Sequence, residues 1–147
     1  MTDDIDTAIV ETLTNDDLRA VDALLPQLSS TARFDAGRVQ AMIDAPAVDL
    51  FVARDAGAMV GMATLVTFPL VTGWRGIVED VVVSQQARGR GIARLLLEAI
   101  TEEAARRRLR TLDLTSRPSR ESALRLYESV GFEPRETNVM RYVPALR

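Results

Sequence analysis

The sequence predicts an α/β domain with elements in the order β-α-α-β-β-β-α-β-α-β. Three observations carry that prediction. Short β-branched runs alternate along the 147 residues with stretches whose apolar residues recur at helical spacing. Asp55-Ala56-Gly57 separates two strand-like runs as a hairpin turn would. The run Val81-Val82-Val83 passes through Gln86-Ala87-Arg88-Gly89-Arg90-Gly91 directly into a long helical stretch.

Each element has its own local cause. Thr7 to Leu13 is rich in β-branched residues and reads as the first strand. Thr14 or Asn15 can cap the helix that follows, with Asp16 and Asp17 in its first turn. Leu18, Val21, Leu24, Leu25 and Leu28 form its apolar stripe, and Pro26 marks a kink or an end. Asp35 to Asp44 is a shorter helix, stopped near Pro46. Val48 to Arg54 and Ala58 to Phe68 are the antiparallel strands of the hairpin. Pro69 to Gly76 reads as a loop holding the only tryptophan, Trp74. Ile77 to Val83 is a strand, and Gly91 to Arg108 a long helix with Ile92, Leu95, Leu96, Ala99, Ile100 and Ala104 on its apolar face. Arg110 to Thr115 is the next strand. Ser119 caps a helix carrying Ala123, Leu126, Tyr127 and Val130 on one face, and Gly131 stops it. Thr137 to Val143 is the last strand. No repeat, low-complexity tract or linker interrupts the chain, so residues 1–147 read as one domain.

Composition narrows the chemistry. The chain has no cysteine, no histidine and no lysine. Their absence excludes disulfides, cysteine nucleophiles, histidine bases, the usual zinc sites and Schiff bases. Proton transfer falls to Asp, Glu, Tyr, water or the backbone. The formal net charge of −3, with arginines interleaved among glutamates, argues against nucleic acid as the ligand. Met1 to Asp6 is polar and acidic, unlike a secretory signal, and no apolar run is long enough to span a bilayer. The expected setting is the cytoplasm, with no membrane partner and no metal.

The hexad Gln86 to Gly91 points to a phosphorylated ligand. A strand that turns through glycines into a helix N-terminus presents free backbone N–H groups, and the helix dipole favours negative charge there. Glycine lets the main chain approach an anion closely. Arg88 and Arg90 add positive charge. A dinucleotide fingerprint would need a third glycine where Arg94 stands, and a Walker loop would need a lysine. The pattern Gln/Arg-x-x-Gly-x-Gly/Ala after a strand instead resembles the pyrophosphate-binding signature of the GNAT superfamily of N-acetyltransferases, which use acetyl-CoA. A second segment, Leu126-Tyr127-Glu128-Ser129-Val130-Gly131-Phe132, resembles the Leu-Tyr-x-x-x-Gly-Phe stretch that closes the CoA site in that family.

The resemblance implies a mixed central sheet of about six or seven strands flanked by about four helices, splayed into a wedge that holds acetyl-CoA. It implies cofactor contacts from Arg88, Gly89, Arg90, Gly91 and Ala93, and from the main chain of Val81 and Val83, beside a bulge in their strand. Arg120 stands where many members carry an asparagine that touches the cofactor, and Gln85 where many carry proline. Arg120 could reach a CoA phosphate instead, or remain a solvated first-turn residue. The implied reaction is direct attack of a primary amine of a small molecule or peptide on the thioester. Tyr127 would protonate the departing sulfur, unless it is only a packed aromatic.

Glu79 and Asp80 precede the phosphate loop. Strict strand alternation puts Ile77, Glu79, Val81 and Val83 on one face and Val78, Asp80 and Val82 on the other. By resemblance Glu79 is the candidate base, acting through water; an acceptor-site counter-ion or a structural ion pair is the alternative. A backbone N–H near Val81 would hold the developing oxyanion. Acceptor walls would come from the first helices, the loop after Phe68 and the last strand, with Phe34, Phe68, Trp74, Asn138 and Tyr142 as candidates. A homodimer is compatible with this reading. Two other functions stay open: a domain that senses acetyl-CoA without turnover, and an α/β protein for another phosphorylated ligand.

Overall fold

Hairpin turns and one crossover helix arrange the chain as a single five-stranded sheet with helices on both faces. The structure is a computed structural model describing residues 4–146; the polar start read at 1–3 lies outside the described residues. The elements are β1 (Ile5–Ile9), α1 (Asn15–Leu28), α2 (Ala36–Asp44), β2 (Val48–Asp55), β3 (Ala58–Leu70), β4 (Gly73–Val83), α3 (Ile92–Arg106), β5 (Thr111–Asp113) and α4 (Glu121–Val130). A short 3₁₀ turn, Gln85–Ala87, joins β4 to α3. The strands lie in the order β1-β2-β3-β4-β5. The first four pair antiparallel, and β5 runs parallel to β4.

Sequence causes are visible at each junction. Thr14 accepts from the Asp17 N–H at 3.1 Å while Asp17 accepts from the Thr14 N–H at 3.2 Å, a reciprocal cap that opens α1. Asp17 also pairs with Arg54 of β2 at 2.7 Å and is 4% exposed. That guanidinium, more than the caps, holds the Asp17 carboxyl below its ordinary pKa against the opposing effect of burial. Pro26 sits inside the last turn of α1, which runs on to Leu28.

Two apolar layers cover the sheet. On one face, Phe51, Ala53, Ala63, Leu65 and Val78 pack against Ile92, Leu96, Leu97 and Ile100 of α3 and Tyr127 of α4. On the other, Leu50, Val52, Met62 and Val82 pack against Val21 and Leu24 of α1, with Val39 and Ile43 of α2 at the margin. β2 is therefore buried on both sides, and its central residues 50–53 are all apolar. On α3 the fully buried residue that periodicity missed is Leu97.

Several expectations need correction. The stretch 69–76 is not a loop: β3 and β4 extend through it as a hairpin that turns at Val71 and Thr72, with Leu70 opposite Gly73. Pro69 and the glycines read as strand breakers, yet close to a hairpin tip few ladder bonds are demanded of them. Ser119 does not cap α4; Arg120 occupies the cap position without a side-chain bond. Gly131 does stop α4, at φ +118, with the Phe132 N–H bonded back to the Tyr127 carbonyl at 3.0 Å. The sheet has five strands rather than six or seven among the described residues, because 137–143 forms no strand and residues 133–146 are exposed.

Candidate functional site

A split in the sheet organises the site. β4 and β5 pair only where residues 75–77 face residues 111–113. Arg75 clamps that end, donating to Thr111 Oγ1 at 3.1 Å and to Asp113 at 2.8 Å. Gly76 allows the close approach: a Cβ there would stand 2.8 Å from Leu109 Cδ1 and 3.0 Å from Leu112 Cδ1. Beyond Ile77 the strands part, and β4 runs on to Val83 with its outer edge unpaired among the described residues.

A bulge re-aims the carboxylates at the mouth of that split. Thr64 faces Glu79, but Met62 faces Val82, so Asp80 and Val81 together oppose Ala63. Asp80 takes up the extra residue at φ +54, a left-handed conformation that aspartate tolerates better than most residues. The strict alternation assumed from sequence is thereby broken. Val78, Val81 and Val83 pack toward the α3 layer, whereas Val82 joins the α1 layer. Glu79 stays on the α1 side, across from Thr64. Val81 and Val83 are thus not on the face of Glu79. The Ser84 N–H bonds the Val60 carbonyl at 2.8 Å. Strand alternation then turns the Val82 main chain toward β3 and that of Val81 and Val83 toward the open edge.

Glu79 is exposed and stands next to a second carboxylate, Asp80. Desolvation, and then the neighbouring Asp80 charge, push its pKa above the ordinary glutamate value.

The glycine loop follows directly. Ala87 is buried and anchors it. Gly89 and Gly91 both have positive φ, +81° and +74°, so both positions demand glycine on conformational grounds. A Cβ at Gly89 would meet no protein atom within 4 Å; the space over it is open. Gly91 begins α3, whose first intrahelical bond is Leu95 N–H to the Gly91 carbonyl at 3.1 Å. The N–H groups of Ile92, Ala93 and Arg94 have no place in the helical ladder and make its N-terminus an anion-seeking surface. Arg88 is exposed beside it, with a long 3.5 Å contact to Gln27. Arg90 is committed differently from the expectation. It pairs with Asp55 at 2.8 Å, which ties the loop to the end of β2. Sequence reasoning missed Asp55, because 35 positions separate the partners.

Tyr127 comes from the opposite side. Its ring is 8% exposed in the α3 layer and stands edge-on to Phe132, centroids 6.3 Å apart. Its hydroxyl bonds no described residue, and the side chain lines a cavity of about 1190 Å³ bounded by β5, α4 and the segment after it. Ser116 Oγ is buried and unpartnered in the wall of the same cavity, a feature without any sequence signal. No β4 or glycine-loop residue lines this cavity, but Leu112 to Ser116, on the β5 side of the split, do. Glu79 and Tyr127 therefore belong to opposite faces of the sheet, with the β4–β5 split between them. Arg120 is exposed at the start of α4. Of the acceptor-wall candidates, Phe34 packs against the α1 layer, Trp74 is half exposed at the hairpin tip, and Tyr142 is fully outside the core.

Comparison with known proteins agrees with this architecture. The acetyltransferase (GNAT) family profile matches residues 14–132. No curated protein matches the chain. Among solved structures, a provisionally named acetyltransferase from Agrobacterium tumefaciens str. C58 superposes with TM-score 0.83 at 25% identity, over 94% of this chain and 99% of the other. A ribosomal-protein-alanine N-acetyltransferase from Brucella melitensis biovar Abortus 2308 gives 0.73 at 26%, over 93% and 99%. AAC(6')-Iy, solved with the bisubstrate analogue CoA-S-monomethyl-acetylneamine, gives 0.78 at 18%, over 96% and 99%, a likeness of fold alone.

Proposed function

Since this chain belongs to the acetyltransferase (GNAT) family, we propose that it transfers the acetyl group of acetyl-CoA to a primary amine of a small molecule or peptide, in the cytoplasm. The observation that carries the reading is the adjacency of two features: the β4–β5 split and the loop whose left-handed Gly89 and Gly91 open α3. One can take a long thin ligand through the sheet, and the other can take the anionic end of that ligand. The CoA-derived analogue bound by AAC(6')-Iy and the alanine acceptor named for the Brucella protein support CoA and an amine as ligand classes.

The residues present suit CoA. The pyrophosphate would rest on the N–H groups at 91–94 with Arg88 beside them, and Arg120 would reach a further phosphate. The pantetheine amides would pair with the free main-chain groups of Val81 and Val83. Bound there, the cosubstrate supplies an activated acyl thioester. Glu79, on the α1 side, takes a proton from the incoming ammonium, directly or through water. The N–C bond forms as the C–S bond breaks, and the nitrogen gives its second proton to water to leave a neutral amide. A backbone N–H freed by the Asp80 bulge holds the charge that develops on the carbonyl oxygen. Tyr127, on the α4 side, gives its proton to the departing thiolate and recovers one from solvent. Acid and base on opposite sides of the split suit a transfer in which the nucleophile enters on one side and the leaving group departs on the other.

The test is thiol release from acetyl-CoA over a panel of polyamines, aminoglycosides, amino acids, amino sugars and short peptides. The chain contributes no thiol of its own, so every thiol detected is product. Amine-dependent release supports the reading. CoA binding by calorimetry without release from any amine would overturn the catalytic part of it.

A further inference from the structure

The α1 side of the sheet is covered over only part of its length. Leu50 and Val52 of β2, Met62 of β3 and Val82 of β4 pack beneath α1 and α2. Farther along the same face the cover ends. Val66 and Phe68 follow Thr64 on β3, and Ile77 lies beside Val66 on β4. The register shifts only between Met62 and Thr64, so alternation keeps all of them on the side of Glu79. Among the described residues none of the three belongs to either apolar layer, and each is half-buried. Leu70 continues the row to the hairpin tip and is 45% exposed. From Thr64 to Leu70 the row runs for about 20 Å.

Charge is confined to the two borders of this row. Glu79 and Asp80, both exposed, stand at its head, beyond the point where β4 and β5 part. At the other border Arg75 is engaged by Thr111 at 3.1 Å and by Asp113 at 2.8 Å, so it offers no free charge. An ammonium is favoured at the head, and nothing along the row would solvate a second one. The further ammonium groups of a polyamine, or the hydroxyls of an amino sugar, would lie on Val66, Ile77 and Phe68 and lose hydration without gaining a partner. The carboxylate of a free amino acid would stand beside Glu79 and Asp80, where like charges repel. Given the acetyl-transfer reading of the split, on which this rests, we infer that the acceptor is a monoamine with an elongated apolar body. Its ammonium meets Glu79 at the split, and its body lies on Val66, Ile77, Phe68 and Leu70. Apolar burial supplies the affinity, and the carboxylates at the head fix which end enters the split. A long-chain alkylamine and the N-terminus of an apolar peptide share this chemistry.

Calorimetry with CoA present, which permits binding but no transfer, measures the seat directly. Across ethylamine, butylamine, hexylamine and octylamine, Kd should fall about two- to fourfold per added methylene. A flat series overturns the proposal. 1,6-Diaminohexane should bind about tenfold or more weakly than hexylamine, because its far ammonium must lie on the apolar row or bend away; equal affinity overturns it. V66T/I77T keeps a β-branched residue at both positions and should cut the gain to less than about twofold per methylene. An unchanged slope in the folded variant would place the body elsewhere and overturn the assignment. Octylamine and an alanyl-leucyl-phenylalanine amide tell the two sources apart: the tighter binder supports the seat and names its source, and both binding no better than ethylamine overturns it. Thiol release separates this proposal from the reading beneath it. Equal kcat/KM for every amine would keep acetyl transfer and overturn the apolar seat. Binding that depends on chain length, without release from any amine, would support the seat and overturn acetyl transfer.

Discussion

The chain from β4 through the glycine loop to α3 and the chain from β5 through α4 to residue 146 are built on different principles. In the first region single residues dictate local conformation. Gly89 and Gly91 hold positive φ, Asp80 absorbs the bulge, and Ala87 pins the turn. In the second, α4 is amphipathic and well terminated, but what surrounds it depends on partners. β5 has three residues and one neighbour, and the segment beyond Phe132 has none among the described residues. A conformation set by a residue's own dihedral preference needs no help from elsewhere. A strand is defined only by what it pairs with.

The largest expected effect tests whether the second region contributes chemistry or only packing. Tyr127→Phe keeps the ring and its edge-on contact with Phe132 while removing the hydroxyl that opens on the cavity. Loss of a general acid lowers kcat by about 10²–10⁴, with KM for acetyl-CoA little changed. An unaltered kcat in steady-state assays would leave Tyr127 as a core residue.

Next come the glycines of the first region. Gly89→Val and Gly91→Val should weaken CoA binding by about 1.5–3 kcal/mol for each charge-assisted hydrogen bond that the loop can no longer donate. At Gly89 the protein itself leaves room for a side chain. The damage there must come from strain at positive φ and from crowding of the ligand. Calorimetry on folded variants decides it: normal CoA affinity in both would move the anion site elsewhere.

The Asp17–Arg54 pair lies outside both regions and gauges scaffold stability alone. Asp17→Asn should cost about 1–3 kcal/mol at neutral pH by leaving Arg54 with a neutral partner. The Asp17 pKa is depressed in the folded state, so its contribution is present above the ordinary aspartate value and lost as pH falls through the folded value. Urea midpoints of the two proteins should therefore converge in strong acid. A constant gap would assign the effect to the cap.

The smallest effect sharpens the role of the bulge. Glu79→Gln should lower activity most at neutral pH and least in alkaline buffer, where the amine deprotonates itself near pH ~10. Asp80→Asn is the control, because asparagine accepts the same left-handed backbone. A pH-dependent loss confined to Asp80→Asn would exchange their roles. The Glu79 pKa is raised in the folded state, so its ionisation costs no stability below the ordinary glutamate value, and the cost grows from there until pH has passed the raised folded value. Glu79→Gln should accordingly be slightly more stable than the parent at neutral pH and equal to it in acid.

The family was legible in two short segments, Gln86 to Gly91 and Leu126 to Phe132, and the profile match over 14–132 bears that out. The order of elements was legible through α4 for the same reason: caps, turn residues and periodicity act within a few positions. Thr14 with Asp17, the Asp55-Ala56-Gly57 turn and Gly131 each work at that range.

Four features emerge only when the chain is folded. Leu97 is buried because helix α3 settles at a particular rotation on the sheet. Arg90 meets Asp55 because the loop lands beside the end of β2. Glu79 parts from Val81 and Val83 because β3 and β4 differ by one residue in register at Ala63. Residues 137–143 carry a strand's sequence without becoming one, since no neighbouring edge receives them. The dihedrals of the glycine loop, most helix boundaries and the apolar stripes follow from each residue's own sterics and polarity, and so could be read residue by residue. The long-range pairings could not, because a hydrogen bond or an ion pair across the fold exists only once the whole chain has brought its two ends together.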